Sequence, residues 1–169
     1  AYFNNIKISN PMTATALLDT DHINTDKPPF ILVDGSYYMF RNFHALPVTM
    51  QTTQGLHTNS IRGTLNALKK LMEKYRPTHM AVAFDTKAPT FRHKLSPIYK
   101  GDRPDMPAEL AEQIPYIHKM IQAMGIPLLA IEGVEADDII GTLAHRACLE
   151  GHHVIISTGD KDMCQLVNP

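Results

Sequence analysis

Four short apolar runs, each closed by acidic residues, constrain this chain more than any other feature. Phe30-Ile31-Leu32-Val33 is continuously apolar, as a strand buried on both faces is, and leads into Asp34-Gly35-Ser36. His79 to Phe84 is a second run and ends at Asp85. Ile126 to Ile131 is a third, passing through Gly133 to Glu135, Asp137 and Asp138. Val154 to Ser157 is a fourth, followed by Thr158-Gly159-Asp160-Lys161-Asp162. Between them lie helical patterns. From Ser60 to Arg76, Ile61, Leu65, Leu68, Leu71, Met72 and Tyr75 recur at helical spacing, and Pro77 closes the segment. Ala108 to Met124 reads as a helix that Pro115 kinks or divides and Gly125 ends. Glu135 to Glu150 reads as another, capped by Gly151. This alternation predicts an α/β domain, a parallel sheet covered by helices on both faces. In such sheets, sites form in the crevice beyond the carboxyl ends of the strands.

A chain of 169 residues suits one domain. The 44% apolar and 20% charged composition is that of a globular protein. Sixteen Lys and Arg against seventeen Asp and Glu leave a net charge of −1, which excludes a generally basic coat but permits local patches of either sign. Two cysteines, Cys148 and Cys164, match no zinc or disulfide pattern, as expected of a reduced, intracellular protein. Residues 1–29 are polar, aperiodic and closed by Pro28-Pro29, and read as an unstructured or expression-derived leader, with Met12 a candidate start. Residues 30–169 form the folded part. Nothing approaches a membrane span.

In a parallel sheet the four strand ends share one edge, so Asp34, Asp85, Glu135, Asp137, Asp138, Asp160 and Asp162 are brought toward one pocket. Like charges that close raise each other's pKa or require a cation. Oxygen-only ligands without clustered Cys or His favour Mg²⁺ or Mn²⁺ over zinc, and so many carboxylates exceed the needs of one Mg²⁺. A two-metal site for phosphodiester cleavage follows. Taken singly, each acid reads at least as well as a helix cap. Asp138 is the strongest candidate for a cap or supporting group. Glu135 and Asp137, two apart, both ligate only if Glu135 precedes the first helical turn. Gly133 and Gly159 are read as permitting tight strand-to-helix turns, with backbone N–H groups facing phosphate as the alternative.

At these residues the chain resembles the N-terminal 5′-nuclease domains of bacterial DNA polymerase I, part of the flap endonuclease family with a PIN-like fold. The resemblance is carried by Ile31-Leu-Val-Asp-Gly-Ser36 with Arg41, Phe84-Asp85, Phe91-Arg92, Tyr99-Lys100 and Arg103-Pro104. Its most specific blocks are Gly133-Val-Glu-Ala-Asp-Asp138 and Ser157-Thr-Gly-Asp-Lys-Asp-Met163. It implies that Asp34, Asp85, Glu135 and Asp137 serve a first metal, that Asp160 and Asp162 lie nearer a second, and that Asp138 supports them. Related stand-alone nuclease-like proteins often lose the second aspartate of the last block; Asp162 favours the polymerase-associated branch.

By the same resemblance, the aperiodic stretch of residues 86–107 forms an arch through which a single strand with a free 5′ end passes. It interleaves Lys87, Arg92, Lys94, Lys100 and Arg103 with Phe91 and Tyr99, cations for phosphates beside faces for bases. Lys100 and Arg103 are expected to steady the scissile phosphate's surroundings as part of the catalytic set, and Arg41 to touch phosphate. A solvated loop is the plain alternative for any one of these cations. The implied activity is a Mg²⁺-dependent 5′→3′ exonuclease and 5′-flap endonuclease on DNA in the bacterial cytoplasm. The implied partners are the rest of the nuclease domain and a polymerase domain. In the family a helix-hairpin-helix part follows Pro169, gripping duplex and adding two aspartates, so this stretch alone is expected to cleave little. A non-catalytic DNA-binding module and a PIN-type ribonuclease remain as alternatives, since acids alone do not select DNA over RNA.

Overall fold

The computed structural model describes residues 6–8, 28–96 and 105–167. Five strands, β1 (Ile6–Ile8), β2 (Phe30–Asp34), β3 (His79–Ala83), β4 (Leu128–Leu129) and β5 (Val154–Ser157), make one sheet in the order β1-β5-β2-β3-β4. Every pairing is parallel. The helices are α1 (Gly35–Ala45), α2 (Asn59–Tyr75), α3 (Phe91–Leu95), α4 (Ala108–Ala111), α5 (Ile114–Ala123) and α6 (Ala136–Leu149), and a 3₁₀ turn spans Lys161–Leu166.

Side chains alternate across the sheet, so both faces are buried, as the unbroken apolar runs predicted. Ile31, Val33, Val82 and Ile155 face the cluster that includes Tyr38, Leu68, Leu71, Ile117 and Ile121, from α1, α2 and α5. Leu32, Ala81, Ala83, Val154 and Ile156 face α6 through Ile139, Ile140 and Ala144. Each fully buried Leu or Ile stabilises the fold by about 1.5–3 kcal/mol. The register lets the central strands end together: Asp34 lies beside Ala83, and Val33 beside Ser157. That common end is the edge the acids occupy.

Several elements depart from the sequence reading. Within the stretch read as a leader, Ile6–Ile8 is a parallel edge strand against β5, which corrects the unstructured reading at those three residues. β4 keeps only two of six expected residues, because Pro127 has no N–H for the ladder and Ile126 N–H turns back to Ile121 O. Pro115 divides the long helix as expected, falling in the first turn of α5. The gap after α4 has a use. Gln113, fully buried there, accepts from Ser60 N–H (2.9 Å) and Ile61 N–H (3.2 Å), capping α2 from another part of the chain. Helix α1 follows β2 without a loop, although Gly-Ser-Tyr-Tyr is a poor helix start. A Cβ on Gly35 would meet Phe84 at 2.5 Å, so only glycine lets α1 begin so close to the β3 end.

Candidate metal and nucleic-acid site

Asp34 is the last residue of β2 and the N-cap of α1, accepting a hydrogen bond from Tyr37 N–H at 2.9 Å. Its other oxygen accepts from the Thr158 hydroxyl at 2.9 Å. The residue is 6% exposed. Burial pushes its pKa above the ordinary value, and the nearby charges of Asp85 and Asp160 push the same way, while the Tyr37 and Thr158 bonds pull it back. Thr158 Oγ1 also accepts from Asp160 N–H at 3.1 Å, so one hydroxyl bridges the two acids. Asp160 in turn caps the 3₁₀ turn by accepting from Asp162 N–H at 2.9 Å. Asp85, just past β3, receives its orientation from both sides. Its N–H donates to Ser36 Oγ, and its carboxylate accepts from Ala136 N–H, each at 2.9 Å.

Glu135 is the N-cap of α6 in extended backbone, so it does precede the first turn, the condition for Glu135 and Asp137 to act together. Gly133 before it has φ +78°, a conformation that favours glycine. The Glu135 carboxylate accepts from Arg92 at 3.1 Å, and the Arg92 guanidinium grips Asp138 with two bonds of 2.6 and 2.8 Å. Arg92 also lies over the Phe91 ring, 4.6 Å from its centre. Beside this group a cavity of 390 Å³ is lined by Arg92, Glu135, Asp137, Asp138 and Asp162 among others.

The rim therefore consists of two neighbouring groups. Asp34, Asp85 and Asp160 form an inner one; Glu135, Asp137, Asp138 and Asp162 form an outer one. Among the described residues no Lys, Arg or His lies within ion-pair distance of the inner three. Nor, among the described residues, are any three acid, His or Cys side chains already drawn together closely enough to hold a metal ion. The donor chemistry still fits a hard divalent cation: oxygens alone, with the buried Asp34 carboxylate within reach of the Asp85 and Asp160 charges and, among the described residues, no organic cation paired with them.

Of the residues expected to meet DNA, Phe91 is 51% exposed at the start of α3, and Arg41 lies on α1 within electrostatic reach of the Tyr38 phenol. Arg92 is engaged with Asp138 and Glu135, a tie between distant segments that no local pattern signals. Tyr99, Lys100 and Arg103 lie outside the described residues. The sequence reading also passed over Thr158, Ser36 and Thr90, the hydroxyls that orient the acids. Their signal was position alone: each lies within two residues of a strand end or at the head of a helix.

Fold and rim together define an α/β domain with a carboxylate cluster at the carboxyl edge of a parallel sheet. Residues 29–169 match the family model described as 5′-3′ exonuclease, N-terminal resolvase-like domain, and the chain belongs to that family. It is 50% identical over 140 residues to DNA polymerase I of Pseudomonas aeruginosa, covering 83% of this chain and 15% of that protein. It is 42% identical over 139 residues to the 5′-3′ exonuclease of Buchnera aphidicola subsp. Baizongia pistaciae, covering 82% of this chain and 46% of that one. The chain thus spans about a sixth to a half of the length of such relatives. The fold matches the T5 D15 protein co-crystallised with metal ions, with a TM-score of 0.63 at 23% identity, over 82% of this chain and 52% of that one. A T5 D15 flap endonuclease in a pseudo-enzyme–product complex with DNA and metal ions matches at a TM-score of 0.62 and 22% identity, with the same coverage. Among the described residues, no helix is long and apolar enough to cross a membrane.

Proposed function

We propose that the protein carrying this chain is a divalent-cation-dependent 5′→3′ exonuclease and 5′-flap endonuclease acting on DNA, with Mg²⁺ or Mn²⁺ as the working ion. The observation that carries this reading is the inner acid group: three carboxylates from three strand ends, one of them buried, with no organic cation paired with them among the described residues. Relatives named DNA polymerase I and 5′-3′ exonuclease, and a flap endonuclease of the same fold with DNA and metal ions, support it.

Bound divalent cations would activate water for attack on the phosphodiester and neutralise charge on the leaving oxygen. Asp34, Asp85, Glu135 and Asp137 would hold the first ion and Asp160 and Asp162 a second, with Asp138 in support. The chain's own part is orientation. Thr158 fixes Asp34 and Asp160 against each other, Ser36 and the α6 N-terminus fix Asp85, and Arg92 fixes Asp138. Phe91 and Tyr99 would stack bases of the 5′ strand, and Arg41, Lys100 and Arg103 would hold its phosphates, the last two steadying charge in the transition state. The rest of the nuclease domain would grip the duplex, and a polymerase domain would follow it in a bacterial, cytoplasmic protein working on the nucleoid.

The test uses the full-length protein on a 5′-flapped DNA duplex, with Mg²⁺, with EDTA, and as Asp160→Asn, beside an RNA flap of the same sequence. Cleavage of the DNA flap that needs Mg²⁺ and fails in the variant is expected. Cleavage unchanged by EDTA and by the substitution removes the metal reading, and preference for the RNA flap turns it toward a ribonuclease.

A further inference from the structure

The first turn of α1 and the loop after β5 meet residue against residue. Asp34 accepts from the Thr158 hydroxyl at 2.9 Å, and the Tyr38 phenol hydrogen-bonds Ser157 Oγ at 2.7 Å. Between these two bonds lies Tyr37. A Cβ built on Gly159 would overlap both Cζ and the hydroxyl oxygen of Tyr37, so the ring rests against the bare Gly159 backbone. Gly159 is not among the glycines at positive φ, which are Gly55, Gly125, Gly133 and Gly151. Its φ therefore does not call for glycine; the Tyr37 ring, where it stands, leaves no room for a side chain. This corrects the reading of Gly159 as a turn glycine. Tyr37 is itself fixed from both ends. Its N–H is bonded to Asp34, and its ring meets the edge of Tyr38 at 5.7 Å and 84°.

The next residue after Gly159 is Asp160, whose charge reaches Asp34. Three neighbouring contacts thus set where one inner acid stands relative to another, and the middle one is a steric fit between a ring and a bare Cα. We infer that Tyr37 is a positioning residue that holds Asp160 at its working separation from Asp34, and that Gly159 is kept small so that it can. The inference deepens the metal reading proposed above and rests on it. Tyr37 touches neither cation nor substrate in this role; it acts through the Gly159 backbone.

A double-substitution cycle tests it in the full-length protein, read by Mn²⁺ binding from the free-ion electron paramagnetic resonance signal and by thermal unfolding without metal. Gly159→Ala is expected to weaken Mn²⁺ binding about tenfold, the low end of what changes supporting a metal ligand do. It should also lower Tm by several degrees. In the Tyr37→Ser background, where the added methyl has room, Gly159→Ala should change Mn²⁺ affinity less than about twofold. Tyr37→Phe, which keeps the ring, should bind Mn²⁺ like the wild type. If Gly159→Ala fails to fold with Tyr37 present but folds in the Tyr37→Ser background, the steric interlock is upheld. Equal penalties for Gly159→Ala in both backgrounds overturn the inference, as does unfolding in both. A wild type that binds no Mn²⁺ overturns the metal reading and the inference together, whereas a wild type that binds it with no loss in Gly159→Ala overturns the inference alone.

Discussion

The two acid groups of the rim are built from the same residue types and behave differently. Among the described residues, Asp34, Asp85 and Asp160 are satisfied only by neutral donors: backbone N–H groups and the Thr158 hydroxyl. Glu135 and Asp138 share a guanidinium that arrives from α3, at the root of the stretch read as an arch. Neutral donors orient a carboxylate but leave most of its charge uncompensated, whereas a bidentate arginine both orients and neutralises it. The inner group is therefore short of positive charge and the outer one largely supplied. On the proposed reading, that difference separates where an added cation would sit from where the protein has provided its own. Arg92 also ties α3 to the carboxylate edge of the sheet through one side chain.

The largest effect should come from the inner group. Asp34→Asn keeps the acceptor for Tyr37 N–H but removes a buried charge, so the full-length protein should lose flap cleavage by at least about a hundredfold, the upper range for disturbing a ligand's support. In metal-free buffer the same variant should unfold at a higher temperature than the wild type, because a buried charge no longer has to be desolvated and, to a smaller extent, the repulsion from Asp85 and Asp160 is relieved. A variant that loses stability without metal and keeps its activity would erase the distinction between the two groups.

The outer group should respond in the opposite sense. Arg92→Met leaves Asp138 and Glu135 facing each other without their shared cation. The Arg92 side chain is 31% exposed, so the loss falls between surface and buried pairs, at about 2 kcal/mol. Thermal unfolding checks this, and adding Asp138→Asn to Arg92→Met should recover part of the loss. No recovery would mean the arginine matters through packing on Phe91 rather than through charge.

The smallest effect is expected at His118, which belongs to neither group. His118 packs its ring on Phe84, and its Nε2 is buried without a partner. Burial lowers its pKa below the ordinary value of 6.5. The unfolded chain then binds protons more readily than the folded one, so stability falls as pH drops below that value. His118→Phe should flatten this acid-side decline in a pH series of unfolding curves, by less than about 1 kcal/mol for a partly buried ring. If the decline is unchanged, acid sensitivity resides in other groups.

Much of this could be read from the residues in order. Period and length identified β2, β3, β5, α2 and α6 because a buried strand is an unbroken apolar run and an amphipathic helix repeats every three to four residues. The acids fell at strand ends, and parallel pairing puts those ends together. Helix α1 was missed because Gly-Ser-Tyr-Tyr has poor intrinsic helix propensity, although Tyr38, Met39, Asn42 and Phe43 carry its buried stripe. What local sequence could not give was which acid meets which donor. Arg92 and Asp138 are 46 residues apart, and Asp34 and Thr158 are 124 apart. The chain by itself determined the central strands, their parallel direction and the side on which carboxylates gather, since these follow from periodicity and the parallel rule. Only the tertiary structure decided which carboxylates stay uncompensated and which glycine is required by a ring, because both depend on neighbours that no local pattern records.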